Sequence, residues 1–244
     1  MTGEIVKPST GAGEDPAEDL PGFSRKMTQD EINALPLVSC PLPIYLVNDV
    51  AGLEKAVANL REERILGFDT ETRPAFRKGE SYLPSVLQLA GEREAYVIQL
   101  KGISFPGILA EFLEDAEIIK AGVALSRDVL DLKKLGEFHS RGFVDLSSIA
   151  TLAGLKNCGL RGLSSVLLGF RIGKQAQRSD WSRRNLSEAQ IRYAATDAWV
   201  GREIYLHMHD RGFVDLLLKQ AGNVPGHKKA DRPRDAKSTR PARD

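Results

Sequence analysis

Two cysteines in 244 residues, Cys40 and Cys158, stand far apart and outside any CxxC spacing. Their scarcity argues against a disulfide framework or a structural zinc knuckle, and both read as reduced thiols. No stretch approaches the roughly 18 apolar residues of a membrane span. The N-terminal residues are acidic and polar where a secretory leader would be basic and then apolar. The sequence therefore predicts no membrane contact and a cytoplasmic location. Charge of one sign is lacking too, since 34 Lys and Arg offset 33 Asp and Glu for a net charge of +1. Nucleic-acid binding by bulk positive charge is excluded, so any such affinity must come from local patches. Hydrophobic residues at 42% and charged residues at 27% are the usages of ordinary globular chains, unlike collagen, coiled coils or wholly disordered proteins.

Composition changes at both ends. Residues 1–24 are rich in Gly, Pro, Ser, Thr and acids and predict disorder. In residues 222–244, Lys228, Lys229, Arg232, Arg234, Lys237, Arg240 and Arg243 outnumber the aspartates, which predicts a basic, disordered tail. Residues 25–221 form the expected folded domain, with no internal repeat. Its hydrophobic pattern predicts strands at 44–47, 65–71, 86–89, 95–100, 117–121 and 143–146. Helices are predicted at 49–60, 105–113 and 127–135, with a mainly helical chain from Ser147 onward. The last helix, 188–208, has Ser187 as N-cap and Gln190 as its capping-box partner. The alternation defines an α/β class, and the run of strands from 65 to 100 forms a meander that makes the sheet mixed.

Three segments carry candidate chemistry. In Ile65-Leu66-Gly67-Phe68-Asp69-Thr70-Glu71, strand alternation puts Asp69 and Glu71 on one face with Cα atoms roughly 6.5 Å apart. Two such carboxylates suit a hard divalent cation, and they equally suit a strand running out into a polar loop. In Gly122-Val123-Ala124-Leu125-Ser126-Arg127-Asp128, Ser126 is a candidate cap for a helix with Asp128 in its first turn, a position that also favours an acid for dipole reasons alone. Asp131, later in that helix, reads as a surface charge. In Tyr193-Ala194-Ala195-Thr196-Asp197-Ala198, four-residue spacing puts Tyr193 and Asp197 on one helical face, while the alanines admit a close neighbour. Lys174, Arg178, Arg183 and Arg184 surround Trp181, a basic and aromatic mixture suited to a nucleic-acid strand, though Trp181 fits a core position equally well. His139, His207 and His209 lie outside these motifs.

In order and content the three segments resemble the DEDD superfamily of 3′→5′ exonucleases. Tyr193 stands where one branch carries histidine, so the likeness is to the tyrosine branch, which includes ribonuclease D and the Werner-syndrome exonuclease domain. Lys120-Ala121-Gly122-Val123 and Ser179-Asp180-Trp181-Ser182 add to it, and it covers about residues 44–210. Val129 and Leu130 stand where the Werner-type domain has an aromatic, so its end-stacking contact is not expected. The resemblance implies a ribonuclease-H-like mixed β-sheet flanked by helices. It also implies two divalent ions, Mg²⁺ or Mn²⁺, about 3.5–4 Å apart and held by Asp69, Glu71, Asp128 and Asp197. Asp69 would bridge them, Glu71 and Asp197 would hold one, and Asp128 would support the other. Tyr193 would orient the attacking water. The implied reaction releases nucleoside 5′-monophosphates from nucleic-acid 3′ ends, with DNA slightly favoured over RNA. Ribonuclease D-like trimming of RNA and a catalytically inert nucleic-acid-binding module are the alternatives.

Overall fold

A computed structural model describes residues 22–75, 77 and 79–216. The segments expected to be disordered, 1–24 and 222–244, lie outside the described residues except for 22–24. Those three form part of a turn, and Phe23 packs against the core, because one aromatic is enough to anchor an otherwise polar segment.

In chain order the elements are α1 (Gln29–Ala34), β1 (Ile44–Val47), α2 (Val50–Leu60), β2 (Ile65–Thr72), β3 (Pro84–Ala90), β4 (Ala95–Gln99), α3 (Leu100–Ile103) and α4 (Gly107–Glu114). They continue with β5 (Ile119–Gly122), α5 (Ser126–Leu132), β6 (Phe143–Asp145), α6 (Leu146–Leu152), α7 (Leu160–Leu163), a π-helical turn (Ser164–Leu168) and α8 (Glu188–Asp210). The strands form one mixed sheet ordered β1-β4-β3-β2-β5-β6. The expected meander β2-β3-β4 is antiparallel, and β1, β5 and β6 join it in parallel pairs.

Alternation along the strands separates two cores. Leu66, Phe68, Leu87, Leu89 and Ile98 face α2 and α4, joining Leu53, Leu60 and Phe112. Val86, Ala90, Ala95 and Val97 face the other way, joining Ala194, Ala195 and Ala198 of α8. A third cluster sets α6, α7 and the π turn against the later part of α8 through Ile149, Leu163, Val200 and Ile204. No helix among the described residues is long and apolar enough to cross a membrane.

Several expected boundaries move for local reasons. The helix expected from 105 begins at Gly107, because Pro106 disfavours helical backbone in the residue before it, and Ser104 and Phe105 are left-handed instead. Ser126 is the first residue of α5 and not its cap; Leu125 occupies the cap position without a side-chain hydrogen bond. The stretch after Ser147 is not helical throughout, since Gly169 adopts φ 73° and ends the π turn, leaving mostly turns and irregular backbone up to α8. The Ser187 and Gln190 capping box is formed as expected.

Candidate active site

The site is built where α8 crosses β2. Gly67, Asp69 and Glu71 share the strand face that looks at α8, and Gly67 lets the helix backbone settle directly on the strand. The Ala-rich stretch of α8 then places Tyr193 and Asp197, one turn apart, over the acids. One carboxylate oxygen from each of Asp69, Glu71 and Asp197 lies within 4.8 Å of the others. Asp197 is 5% exposed, and the other two are partly buried.

Burial, then repulsion among the acids, governs the protonation of this cluster. Burial foremost, and then Asp197 and Asp128, push the Asp69 carboxyl well above the carboxylate range, against the Thr70 N–H bond that favours its charge. Glu71 is pushed up to about 10 by burial and by Asp69. Burial takes Asp197 to about 7, opposed by a hydrogen bond from Tyr193. Burial and the surrounding acids also raise Tyr193, so its phenol keeps its proton and acts as a donor.

This cluster fits a divalent cation. It offers hard oxygen donors in a compact set, the donor type that Mg²⁺ and Mn²⁺ prefer. Asp197 Oδ1 is buried without a hydrogen-bond partner, and among the described residues no salt bridge reaches any of the three acids. A buried acidic set with no basic partner is costly unless protons or cations neutralise it.

Asp128 is near the trio and not within it. Its Oδ1 accepts a hydrogen bond from the Thr70 hydroxyl, while burial raises its carboxyl. Thr70 points to the opposite strand face from Asp69, so this bond draws Asp128 around the edge of β2. Asp131 corrects the surface-charge reading. It is buried and accepts from Arg127 Nε and Lys134 Nζ, both at 2.6 Å. Those partners hold its carboxyl below the usual range.

A cleft of about 590 Å³ opens over the acids. Of the expected strand-binding residues, Lys174 lines it, whereas Arg178 is exposed outside its lining and Arg183 belongs to a different pocket. Trp181 is corrected. It is 1% exposed in the core beside Val86 and Val97, with its ring 6.1 Å from that of Tyr193, and so offers no free face for base stacking.

Other cleft residues escaped the sequence reading. Lys26 precedes α1 and Gln29 opens it, while Lys156 and Arg161 come from the segment between α6 and α7 and from α7 itself. Long-range hydrogen bonds bring these together: Met27 N donates to Asn157 Oδ1 at 2.9 Å and Arg161 donates to Asn33 Oδ1 at 2.6 Å. Gln88 also went unnoticed. It pairs with Asp69 across the β2–β3 ladder and is fully buried, and neither side-chain amide atom has a partner.

The 3′→5′ exonuclease family model matches residues 44–212, which include every acid above, and the chain belongs to that family. With it comes the DEDD superfamily that the motifs resembled. The mouse bifunctional 3′→5′ exonuclease/ATP-dependent helicase WRN is 31% identical over 204 residues, 78% of this chain and 15% of the relative. Ribonuclease D of Gluconacetobacter diazotrophicus is 33% identical over 178 residues, 70% of this chain and 43% of the relative. The chain thus spans less than half the length of either. Among solved structures, the EXO domain of Aedes aegypti Nibbler superposes with a TM-score of 0.66 at 22% identity, covering 74% of this chain and 99% of that domain. That match shows the fold, which is the expected ribonuclease-H-like mixed sheet.

Proposed function

We propose that the chain is a divalent-cation-dependent 3′→5′ exonuclease that hydrolyses the terminal phosphodiester of a nucleic-acid strand. The observation that carries this reading is the trio Asp69, Glu71 and Asp197, gathered within 4.8 Å at the bottom of a cleft without a basic partner. Asp69, Glu71 and Asp197 would hold one ion, and Asp128 with Asp69 would support a second. When bound, such ions supply Lewis acidity and positive charge at the phosphate. Tyr193, protonated and beside Asp197, would turn its one O–H from that carboxylate toward the attacking water once a cation engages Asp197, and so would orient the attack. Water adds to phosphorus, the bond to the 3′ oxygen breaks, and a nucleoside 5′-monophosphate leaves from a strand with a new 3′ hydroxyl. Lys26, Lys156, Arg161 and Lys174 line the cleft and offset phosphate charge that the acids repel.

DNA ends stand slightly ahead of RNA ends in this reading, following the longer match to the WRN exonuclease, and the ribonuclease D match supports RNA 3′-end trimming as the second reading. The test is a 5′-labelled single strand of each kind with Mn²⁺. A ladder shortening from the 3′ end, stopped by chelation and absent in Asp69→Ala, is expected. An unchanged substrate, with the chain still binding the strand, would establish the inert nucleic-acid-binding module.

A further inference from the structure

We propose that a second, basic pocket beside the cleft holds a phosphodiester of the substrate strand upstream of the scissile bond, an assignment that rests on the exonuclease reading above. The pocket, about 560 Å³, lies between Ser85 at the start of β3, Gln99 and Lys101 around the end of β4, and Arg183 and Arg184 in the segment before α8. Three basic side chains line it and no acidic one does. Arg183 reaches Asp180 only at 4.0 Å, and among the described residues Lys101 and Arg184 enter no ion pair. On a chain of nearly balanced charge, three converging cations with so little internal neutralisation are poised for an external anion.

The arginines rise from pinned backbone. The side chain of Gln99, 8% exposed, donates from Nε2 to the carbonyls of Arg183 at 3.0 Å and Arg184 at 3.2 Å. Upstream, Gln190 Nε2 donates to Ser179 Oγ at 2.9 Å and to the Asp180 carbonyl at 3.2 Å, and the Trp181 ring anchors the segment in the core. Only side-chain freedom is then left to lose on binding, which lowers the cost of capture. Guanidinium forks and an ammonium suit phosphate oxygens, and such contacts position a strand without reading its sequence.

The strand register supplies the distance. Glu71 pairs with Val86, and Val86 with Gln99, so Gln99 stands level with Glu71 on the same face, two strand spacings or about 10 Å away. Even at the duplex rise of about 3.4 Å per nucleotide, a strand covers that in no more than about three nucleotides. A decanucleotide therefore reaches the pocket from the cleft, whereas a dinucleotide, whose one phosphodiester is the scissile one, has none to place there.

The test is the double variant Lys101→Glu/Arg184→Glu, both exposed positions, assayed with Mn²⁺ on a dinucleotide and on a single-stranded decanucleotide. KM for the decanucleotide is expected to rise about tenfold with kcat unchanged, while the dinucleotide keeps its KM. The slope of log affinity against log salt is expected to shrink by about 0.7 for each phosphate that the variant no longer neutralises. Parental kinetics on the decanucleotide would overturn the assignment, as would an effect confined to recessed duplex ends. Fluorescence anisotropy of the labelled decanucleotide reads the pocket without turnover. Weaker binding by the variant supports the pocket even if the parent never cleaves, and equal binding overturns it. Absence of cleavage by the parent counts against the exonuclease reading alone.

Discussion

Of the glycines near the site, Gly67 leaves the least room for a side chain, and filling it is a sharp perturbation. A methyl carbon there would sit 1.7 Å from the Ala198 carbonyl oxygen, 2.7 Å from its carbon and 2.9 Å from Arg202 N. All three neighbours are helix backbone, so no flexible side chain can swing aside. Real contacts of this kind essentially never fall below 3.0 Å, and α8 must therefore back away from β2 by more than about 1 Å. Overpacking of this sort costs about 1–3 kcal/mol, and more where the obstacle is backbone. The functional cost comes from Asp197, which precedes Ala198 in α8. Retreat of the helix carries Asp197 and Tyr193 off Asp69 and Glu71, and a misplacement of about 1 Å at a reacting centre costs on the order of 10²-fold in rate. Gly67→Ala is thus expected to lose both stability, by urea unfolding, and turnover, by single-turnover assay at saturating Mn²⁺. Gly107→Ala is the control, because a Cβ there meets nothing within 4 Å. Alanine at that first helical position is expected to be neutral or to stabilise by up to about 1 kcal/mol. A Gly67→Ala protein with parental stability and rate would refute the close-packing account of the site.

Three further outcomes follow from the same geometry. With Glu71 held protonated up to about 10 and Asp197 up to about 7, the folded chain keeps protons that the unfolded chain releases at about pH 4. The metal-free protein is then expected to lose thermal stability as pH rises from 5 to 8, and Mn²⁺ to remove most of that slope, whereas a melting temperature that rises with pH in chelator would contradict the assignment. Tyr193→Phe is expected to lower kcat by up to about 10²–10⁴-fold while leaving Mn²⁺ affinity, measured by calorimetry, near the parent value; an unchanged kcat would make Tyr193 a packing residue. Trp181→Ala is expected to cost about 3–5 kcal/mol as a core cavity, with Trp181→Phe recovering much of the stability and leaving oligonucleotide affinity intact; weakened affinity in a stable Trp181→Phe protein would restore a binding role.

The candidate acids were legible because each sits in a regular element whose periodicity can be read locally. Two-residue alternation fixed the relation of Asp69 to Glu71, and four-residue spacing fixed that of Tyr193 to Asp197. Their convergence was not encoded by either period, and came instead from the order of the three motifs and their likeness to a family. The errors fall where a side chain's partners decide its burial, whether those partners are distant or local. Trp181 stands among basic residues in the sequence, yet Gln99 and Gln190 tie its segment down so that the ring turns inward and the arginines outward. Asp131 looked solvated because its neighbours are lysines and leucines, but Arg127 and Lys134, at helical spacing on either side, let it be buried as an ion pair.

Asp128 shows how far such reasoning reaches toward function. The motif names the residue and the fold brings it beside β2, but the carboxylate is spent on Thr70 while Asp69, Glu71 and Asp197 converge without it. The difference follows from the strand itself. Thr70 faces away from the acids on either side of it, so any group it holds is kept off their face. Three acids already repel one another at this site, and a fourth carboxylate would raise the charge further in surroundings that penalise it. A hydroxyl donor around the strand edge is the less costly partner until cationic charge is present. The Thr70 bond thus separates the part of the site that the fold assembles from the part that cation binding would complete.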